Sequence, residues 1–326
     1  MSRPEQDLTL VEIKYENSPL TFLTAVFACV SALTICWLAA MDNFIELKIP
    51  FCFTTEECNI ADLTKALRIH NPDIAIVGSS LSKQLNPVYF SNTTVMDLSL
   101  PGGSVMTGLE ILNITARLPK VILVEVNILD RPEDVDWTIK GRWAAESDLS
   151  AVIAGVTKPL RYLLSKPVFS HSVLSAAQQQ AANRQWIAAV RSRDPMKYDI
   201  KTLVSVTRAQ WDRRNGEDVA RSNITRIREL TARLESRGAK VHFLYLPYSA
   251  GLDAHTYARR NREIASGNNA FDCEKCIDVR KLVDVRDLRW SDGAHMDGRS
   301  AAIVADSLER YLFQELWPVP ALKIAH

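Results

Sequence analysis

Three short runs constrain this chain most. Residues 74–77, 121–126 and 241–246 are apolar at almost every position. A strand with one wet face alternates apolar and polar residues, so an unbroken apolar run has both of its faces covered. Segments of helix-forming composition lie between these runs, which is the pattern of a parallel sheet flanked by helices. The expected fold class is therefore α/β, a three-layer α/β/α sandwich around a mainly parallel sheet.

The turn residues agree with that reading. Residues 62–70 read as a short helix stopped at Asn71-Pro72. The first apolar run breaks at Gly78. Residues 95–100 form a further strand that ends at Pro101-Gly102-Gly103, and Ser104 is placed to cap a helix reaching residue 118. From about 132 to 222 no strand signal occurs. Residues 149–164 and 172–190 read as amphipathic helices of a helical insertion. A helix over 223–237 leads back to the strand at 241–246, which ends at Pro247-Tyr248. A short strand is expected at 276–279 and a closing helix at 300–316.

The chain has 326 residues, 47% of them hydrophobic, enough for one large domain with an appendage. The appendage is residues 20–41, which are apolar and uncharged. At about 1.5 Å of rise per residue that length crosses a bilayer core. A cleaved signal peptide ending near Ala39-Ala40 is the rival. However, the leader is mixed in charge (Arg3, Lys14, Glu5, Asp7, Glu12, Glu16) and the run exceeds a signal core. The expected layout is a cytoplasmic tail at 1–19, a transmembrane helix at 20–41, a linker at 42–60 and a domain at 61–326 carrying the insertion at about 132–222. Arg3 and Lys14 ahead of the span place the N-terminus in the cytoplasm and the bulk outside. The net charge of +1 supplies no basic field for nucleic acid.

Cys29 and Cys36 fall inside the span. Cys52, Cys58, Cys273 and Cys276 fall outside it, and an even number there suits disulfides in an oxidising compartment, with the pairing left open. A four-cysteine zinc site is the rival, but only Cys273 and Cys276 have the short ligand spacing, so no metal is expected. A redox Cys-x-x-Cys motif opens a helix, whereas this pair leads into a strand.

In an open parallel sheet, ligands gather at the carboxyl ends of the strands. The first strand there offers Ser79 and Ser80, the second Gly102 and Gly103, and the third Asn127 followed by Asp130-Arg131. Far downstream stands Ser291-Asp292-Gly293-Ala294-His295. An aspartate three residues before a histidine can hold the ring from behind while its other nitrogen faces a nucleophile. Serine is a weak nucleophile until such a base takes its proton. Ser80, His295 and Asp292 are thus the candidate triad.

These blocks resemble the SGNH (GDSL-like) hydrolase superfamily over residues 73 to about 312. The family's Gly-Asp-Ser reads here Gly78-Ser79-Ser80, with the nucleophile at Ser80. Its Asn-x-x-x-x-Gly reads Asp97 to Gly102, and Gly108 also fits. Its Gly-x-Asn-Asp is represented by Asn127, about two positions early. Its Asp-x-x-His followed by a glycine and a helix reads Asp292, His295, Gly298 and Ser300 onward. The resemblance implies an oxyanion hole made by the N–H groups of Ser80 and Gly102 and the Asn127 side-chain amide, with no metal or diffusible cofactor.

With the anchor, the layout is similar to bacterial inner-membrane proteins that O-acetylate alginate, peptidoglycan or other polysaccharides in the periplasm. In those systems a multispan membrane-bound O-acyltransferase passes the acyl group across the membrane. The expectation is transfer of a short acyl group, acetyl first, to a polysaccharide hydroxyl. An esterase with the same triad and a non-catalytic polysaccharide-binding or scaffold subunit are the alternatives.

The remaining residues have plainer readings. Ser79 is a turn former. Tyr248 and Trp290 either line a groove or pack in the core. His70, His171, His242, His255 and His326 have no partner at ligand spacing and read as structural or solvated, and the arginine-rich stretch 221–237 reads as a solvated face.

Overall fold

The computed structural model describes residues 22–24, 26–33, 36, 55–67, 69, 71–136, 138–139, 185, 187–190, 192, 199–214, 216–267, 270–271 and 273–316. Two compact units are present. One comprises Met1–Ile49 and Gly155–His171, the other Pro50–Ala154 and Ser172–His326. In the first, the described residues between Phe22 and Cys36 are helical, and they expose Phe22, Phe27 and Leu33 by 67%, 76% and 70%. No helix among the described residues is long and apolar enough to cross a membrane, and the rest of the 20–41 segment lies outside them.

The second unit is α/β. Its five strands are β1 (Ile74–Gly78), β2 (Val95–Ser99), β3 (Val121–Glu125), β4 (Lys240–Tyr245) and β5 (Cys276–Asp278). They lie in the order β2-β1-β3-β4-β5, and every neighbouring pair is parallel. The apolar runs do become strands β1, β3 and β4, buried throughout in β1 and β3 and from Val241 to Tyr245 in β4. Side chains alternate between two faces, as the strand period requires. Ile74, Ile76, Val121, Leu123 and Leu244 join one core with the closing helix, and Ala75, Val77, Ile122, Val124 and Phe243 join the other.

The helices are α1 (Thr55–Leu67), α2 (Val105–Ile114), α3 (Ile200–Asp212), α4 (Glu217–Ser236), α5 (Ala250–Asp253), α6 (Thr256–Ser266) and α7 (Gly298–Leu316). Leu63 of α1, Leu109 of α2 and Ile227 and Leu230 of α4 cover one face of the sheet. Ala301, Val304, Ala305 and Leu308 of α7 cover the other. From β1 the chain moves outward to β2, then returns to place β3 on the other side of β1. The loops after β1 and β3 therefore part company, the arrangement at which open parallel sheets place their binding crevices.

Several boundaries differ from the sequence reading. Helix α1 begins at Thr55, inside the stretch expected to be linker. Helix α2 is capped by Ser104 as expected but stops at Ile114 rather than 118. Its last carbonyls, of Leu112, Asn113 and Thr115, accept from the Arg237 guanidinium, so the turn is closed from outside. Arg226 likewise pairs with Glu110 of α2, so the arginine face of α4 is partly a helix–helix contact. Helix α3, within the expected insertion, starts where Asp199 accepts from the Thr202 N–H at 3.2 Å. The helix expected at 149–164 lies outside the described residues. Of the one expected at 172–190, only Gln185 and residues 187–190 are described, all helical.

The cysteine expectation is corrected at one position. Cys58 is disulfide-bonded, but Cys276 belongs to no disulfide. It opens β5, and because Ile277 points into the core, strand alternation turns Cys276 outward. Cys52 and the side chain of Cys273 lie outside the described residues.

Candidate active site

The turn that carries Ser80 is built by an unexpected partner. One residue beyond the register pair Val77↔Val124, Glu125 comes to stand beside Gly78. A methyl group on Gly78 would lie 2.6 Å from Glu125 Cβ and 2.3 Å from Ser82 Oγ, so only glycine fits there. The Glu125 side chain is 1% exposed. Its carboxylate accepts from the Ser79 N–H at 2.8 Å, from the Ser79 hydroxyl at 2.9 Å and from the Ser82 N–H at 3.1 Å. Ser79 Oγ in turn accepts from the Leu81 N–H at 3.2 Å. The turn that follows β1 thus holds Ser80 at its apex, half-buried.

Ser80 meets its predicted partners. Its Oγ is 2.8 Å from His295 Nε2, and His295 Nδ1 is 2.6 Å from Asp292 Oδ2. The other Asp292 oxygen accepts from the His295 and Ala294 N–H groups at 2.7 and 3.0 Å. Burial alone would raise the Asp292 pKa. The hydrogen bonds from the His295 ring and backbone outweigh it and hold the carboxyl below the usual aspartate range. The carboxylate therefore fixes the ring with Nδ1 protonated, which leaves Nε2 to accept the Ser80 proton.

The Asp292–His295 loop is shaped locally. An isolated antiparallel bridge joins Trp290 to Met296, and the Ser291 N–H donates to the His295 carbonyl at 2.8 Å, so the excursion is pinched at its base. At its tip Gly293 has φ +89° and its carbonyl accepts from the Ser249 N–H at 2.9 Å. Asp297 Oδ1 accepts from the Ser300 N–H at 2.8 Å and starts α7 directly behind the loop.

Of the three expected oxyanion donors, two have N–H groups that no described residue engages. The register Gly78↔Ser99 sets the turns after β1 and β2 side by side. Gly102 lies in its turn with φ +82° and is exposed. Neither the Ser80 N–H nor the Gly102 N–H donates to any described residue. Asn127 is the correction. Its side-chain amide donates to the Leu246 carbonyl at 2.7 Å, and its oxygen accepts from the Leu246 N–H at 2.8 Å. At 1% exposure it ties the end of β3 to the end of β4, with its amide and its oxygen both engaged by the Leu246 backbone.

A second polar network backs the turn. Lys83 pairs at 2.8 Å with both Asp97 of β2 and Asp62 of α1. Asp97 also accepts from the Ser99 N–H at 2.9 Å, and the Ser82 hydroxyl donates to Ser99 Oγ at 3.0 Å. Burial raises the Asp97 pKa, and the Lys83 ammonium offsets this only in part. Beside Gly102 an open cleft of about 500 Å³ runs along Gly103, Ser104, Arg131, Glu133, Asp134 and Asp136.

Other singled-out residues prove to be structural. Tyr248 and Trp290 are 1% and 9% exposed and belong to the core, Tyr248 edge-on to Trp211 at 5.1 Å. His255 caps α6 by accepting from the Tyr257 N–H at 3.2 Å. Its other ring nitrogen lies 3.0 Å from Asp212. His242 is buried in β4, while His70, His171 and His326 lie outside the described residues. Among the described residues no group of histidine, cysteine or carboxylate side chains could hold a metal ion. The residue of this site that the sequence did not single out is Glu125. Its one signal was a carboxylate at the end of a run otherwise wholly apolar.

The site is therefore a serine with an aligned imidazole base, a carboxylate behind that base and two unengaged N–H groups at adjacent strand ends. Comparison with models of protein families, with curated proteins and with solved structures finds no match.

Proposed function

We propose that this chain is an SGNH-type serine acyltransferase of the bacterial envelope that moves a short acyl group, acetyl first, onto a polysaccharide hydroxyl. The observation that carries the reading is the continuous line from Ser80 Oγ through the His295 ring to Asp292, at 2.8 and 2.6 Å. In the first half-reaction Ser80 Oγ attacks the donor's carbonyl carbon while its proton passes to His295 Nε2. The developing oxyanion faces the Ser80 and Gly102 N–H groups. Collapse expels the donor's leaving group, which takes the proton from His295, and leaves an acyl ester on Ser80. In the second half the acceptor hydroxyl gives its proton to His295 and attacks the ester, and Ser80 Oγ departs with that proton.

Anchoring at residues 20–41 with the catalytic unit outside the cytoplasm is supported by the apolar, exposed helical residues there and by the disulfide of Cys58. A multispan membrane-bound O-acyltransferase that delivers the acyl group fits the same arrangement.

The test is intact-mass spectrometry of the full-length protein in detergent after exposure to an activated acetyl ester. The reading expects one acetyl on wild type, mapped to Ser80, and none on Ser80→Ala. Release of that acetyl by glycan hydroxyls faster than by water marks a transferase, and release by water alone marks an esterase. A folded wild type that takes no acetyl overturns the reading in favour of a binding or scaffold subunit.

A further inference from the structure

Between Ser79 and Leu85 every backbone N–H but one is engaged. The Ser79 and Ser82 N–H groups donate to Glu125, and that of Leu81 donates to Ser79 Oγ, itself bonded to Glu125. Those of Lys83, Gln84 and Leu85 donate to the carbonyls of Ser79, Leu81 and Ser82. The exception is Ser80. A tight turn ordinarily offers several competing N–H groups to any anion nearby. Here one buried carboxylate on the neighbouring strand takes up the N–H groups of Ser79 and Ser82 directly and that of Leu81 through Ser79, while backbone carbonyls take up the rest.

We propose that Glu125 is a positioning residue: with Ser79 as its intermediary, it locks the turn after β1 so that, of that turn's N–H groups, only the Ser80 N–H is left to join Gly102 in facing the oxyanion. This inference rests on the acyl-enzyme reading for its chemical consequence, but the pattern of engaged amides stands apart from it. Three facts concur. The carboxylate is 1% exposed, so its hydrogen bonds to the turn are made away from water. The missing side chain at Gly78 is what gives the Glu125 side chain its place, since a methyl there would lie 2.7 Å from Glu125 Oε2. Ser79, which stands where the resembling family has aspartate, has its hydroxyl 2.9 Å from both Glu125 oxygens. A glutamine can keep much of this network, its carbonyl oxygen receiving the two N–H groups and its amide donating to Ser79 Oγ. An alanine keeps none of it.

The experiment uses full-length wild type, Glu125→Gln and Glu125→Ala in detergent, with two readouts. The first is the rate of Ser80 modification by a fluorophosphonate probe, together with kcat and KM on p-nitrophenyl acetate. Loss of an aligned oxyanion donor typically costs about a hundredfold or more. Glu125→Ala is expected to lose at least about a hundredfold in labelling rate and kcat with KM little changed, while Glu125→Gln stays within about tenfold of wild type.

The second readout is hydrogen–deuterium exchange with residue-level fragmentation. In wild type the Ser79 and Ser82 amides are expected to be protected and the Ser80 amide to exchange fast; Glu125→Ala removes the difference. Wild-type labelling speed in Glu125→Ala, or equal exchange at the three amides in wild type, overturns the proposal. If wild type takes no probe, the acyl-enzyme reading fails and the exchange pattern alone decides the positioning role. If Glu125→Ala does not fold, the wild-type exchange pattern and the Glu125→Gln rates decide it.

Discussion

Gly293 and Val204 stand so close that a methyl group on the glycine would lie 2.5 Å from Val204 Cγ2. The same glycine has φ +89°, a region that side-chain-bearing residues enter at a cost of about 1–2 kcal/mol. Both demands fall on the loop that aims His295. Gly293→Ala is expected to lower kcat by about a hundredfold, the usual result of misplacing a catalytic group by about 1 Å. Adding Val204→Ala removes the collision but not the backbone strain, so the double variant should recover activity only in part. Steady-state hydrolysis of p-nitrophenyl acetate by both variants checks this.

The triad should behave as a unit. Ser80→Ala and His295→Ala are each expected to lower kcat by at least about 10⁴-fold, and combining them should cost little more. Asp292→Asn, which leaves the shape intact but reverses the hydrogen-bonding sense at Nδ1, should cost about 10⁴-fold. Independent, additive losses in the double variant would argue against a shared proton path.

Asn127 now carries a different expectation from the one its position in the sequence suggested. Asn127→Ala strands the buried N–H and carbonyl of Leu246, which should destabilise the fold by about 2–4 kcal/mol. The kcat of the folded fraction should stay within a few-fold of wild type. Urea denaturation followed by activity at low denaturant separates the two effects. A large kcat loss at unchanged stability would restore Asn127 as an oxyanion donor.

Two aspartates should give opposite pH signatures. Asp292 is held below the ordinary aspartate range by the hydrogen bonds that overcome its burial. Its stabilising contribution is therefore present above the ordinary aspartate pKa and is lost as pH falls through the lowered value. Asp97 is raised by burial, so the folded state takes up its proton first and wild type gains stability as pH falls through that raised value. The melting temperature of wild type relative to Asp97→Asn should thus rise on mild acidification. Relative to Asp292→Asn it should fall on stronger acidification. Thermal melts across an acid series measure both.

Much of the sheet was visible in the sequence because strands buried on both faces leave unbroken apolar runs, and Ile74, Val121 and Val241 each sit in one. The triad was visible because each half is local: a glycine-serine turn after a strand, and an aspartate three residues before a histidine. What could not be seen is what lies across from each residue. Asn127 at a strand end looks the same whether it faces a substrate or Leu246, and only the β3–β4 pairing decides. Nothing in the run 121–126 tells that Glu125 will face Gly78; only the placing of β1 beside β3 does. Cys276 looked like half of a bridge until strand alternation turned it outward. Helix α1 begins earlier than its sequence signals suggest, and Asn59 in the added stretch donates to the Pro101 carbonyl at 3.2 Å, a partner that no local signal reveals.

Ser80 and His295 are 215 residues apart along the chain. The nucleophile and its turn emerge early in synthesis, while the base arrives only when the loop ahead of α7 has been made and packed. A chain interrupted anywhere before Trp290 would own a serine with nothing to activate it. In the proposed reaction the serine would therefore gain its base only when the fold is completed.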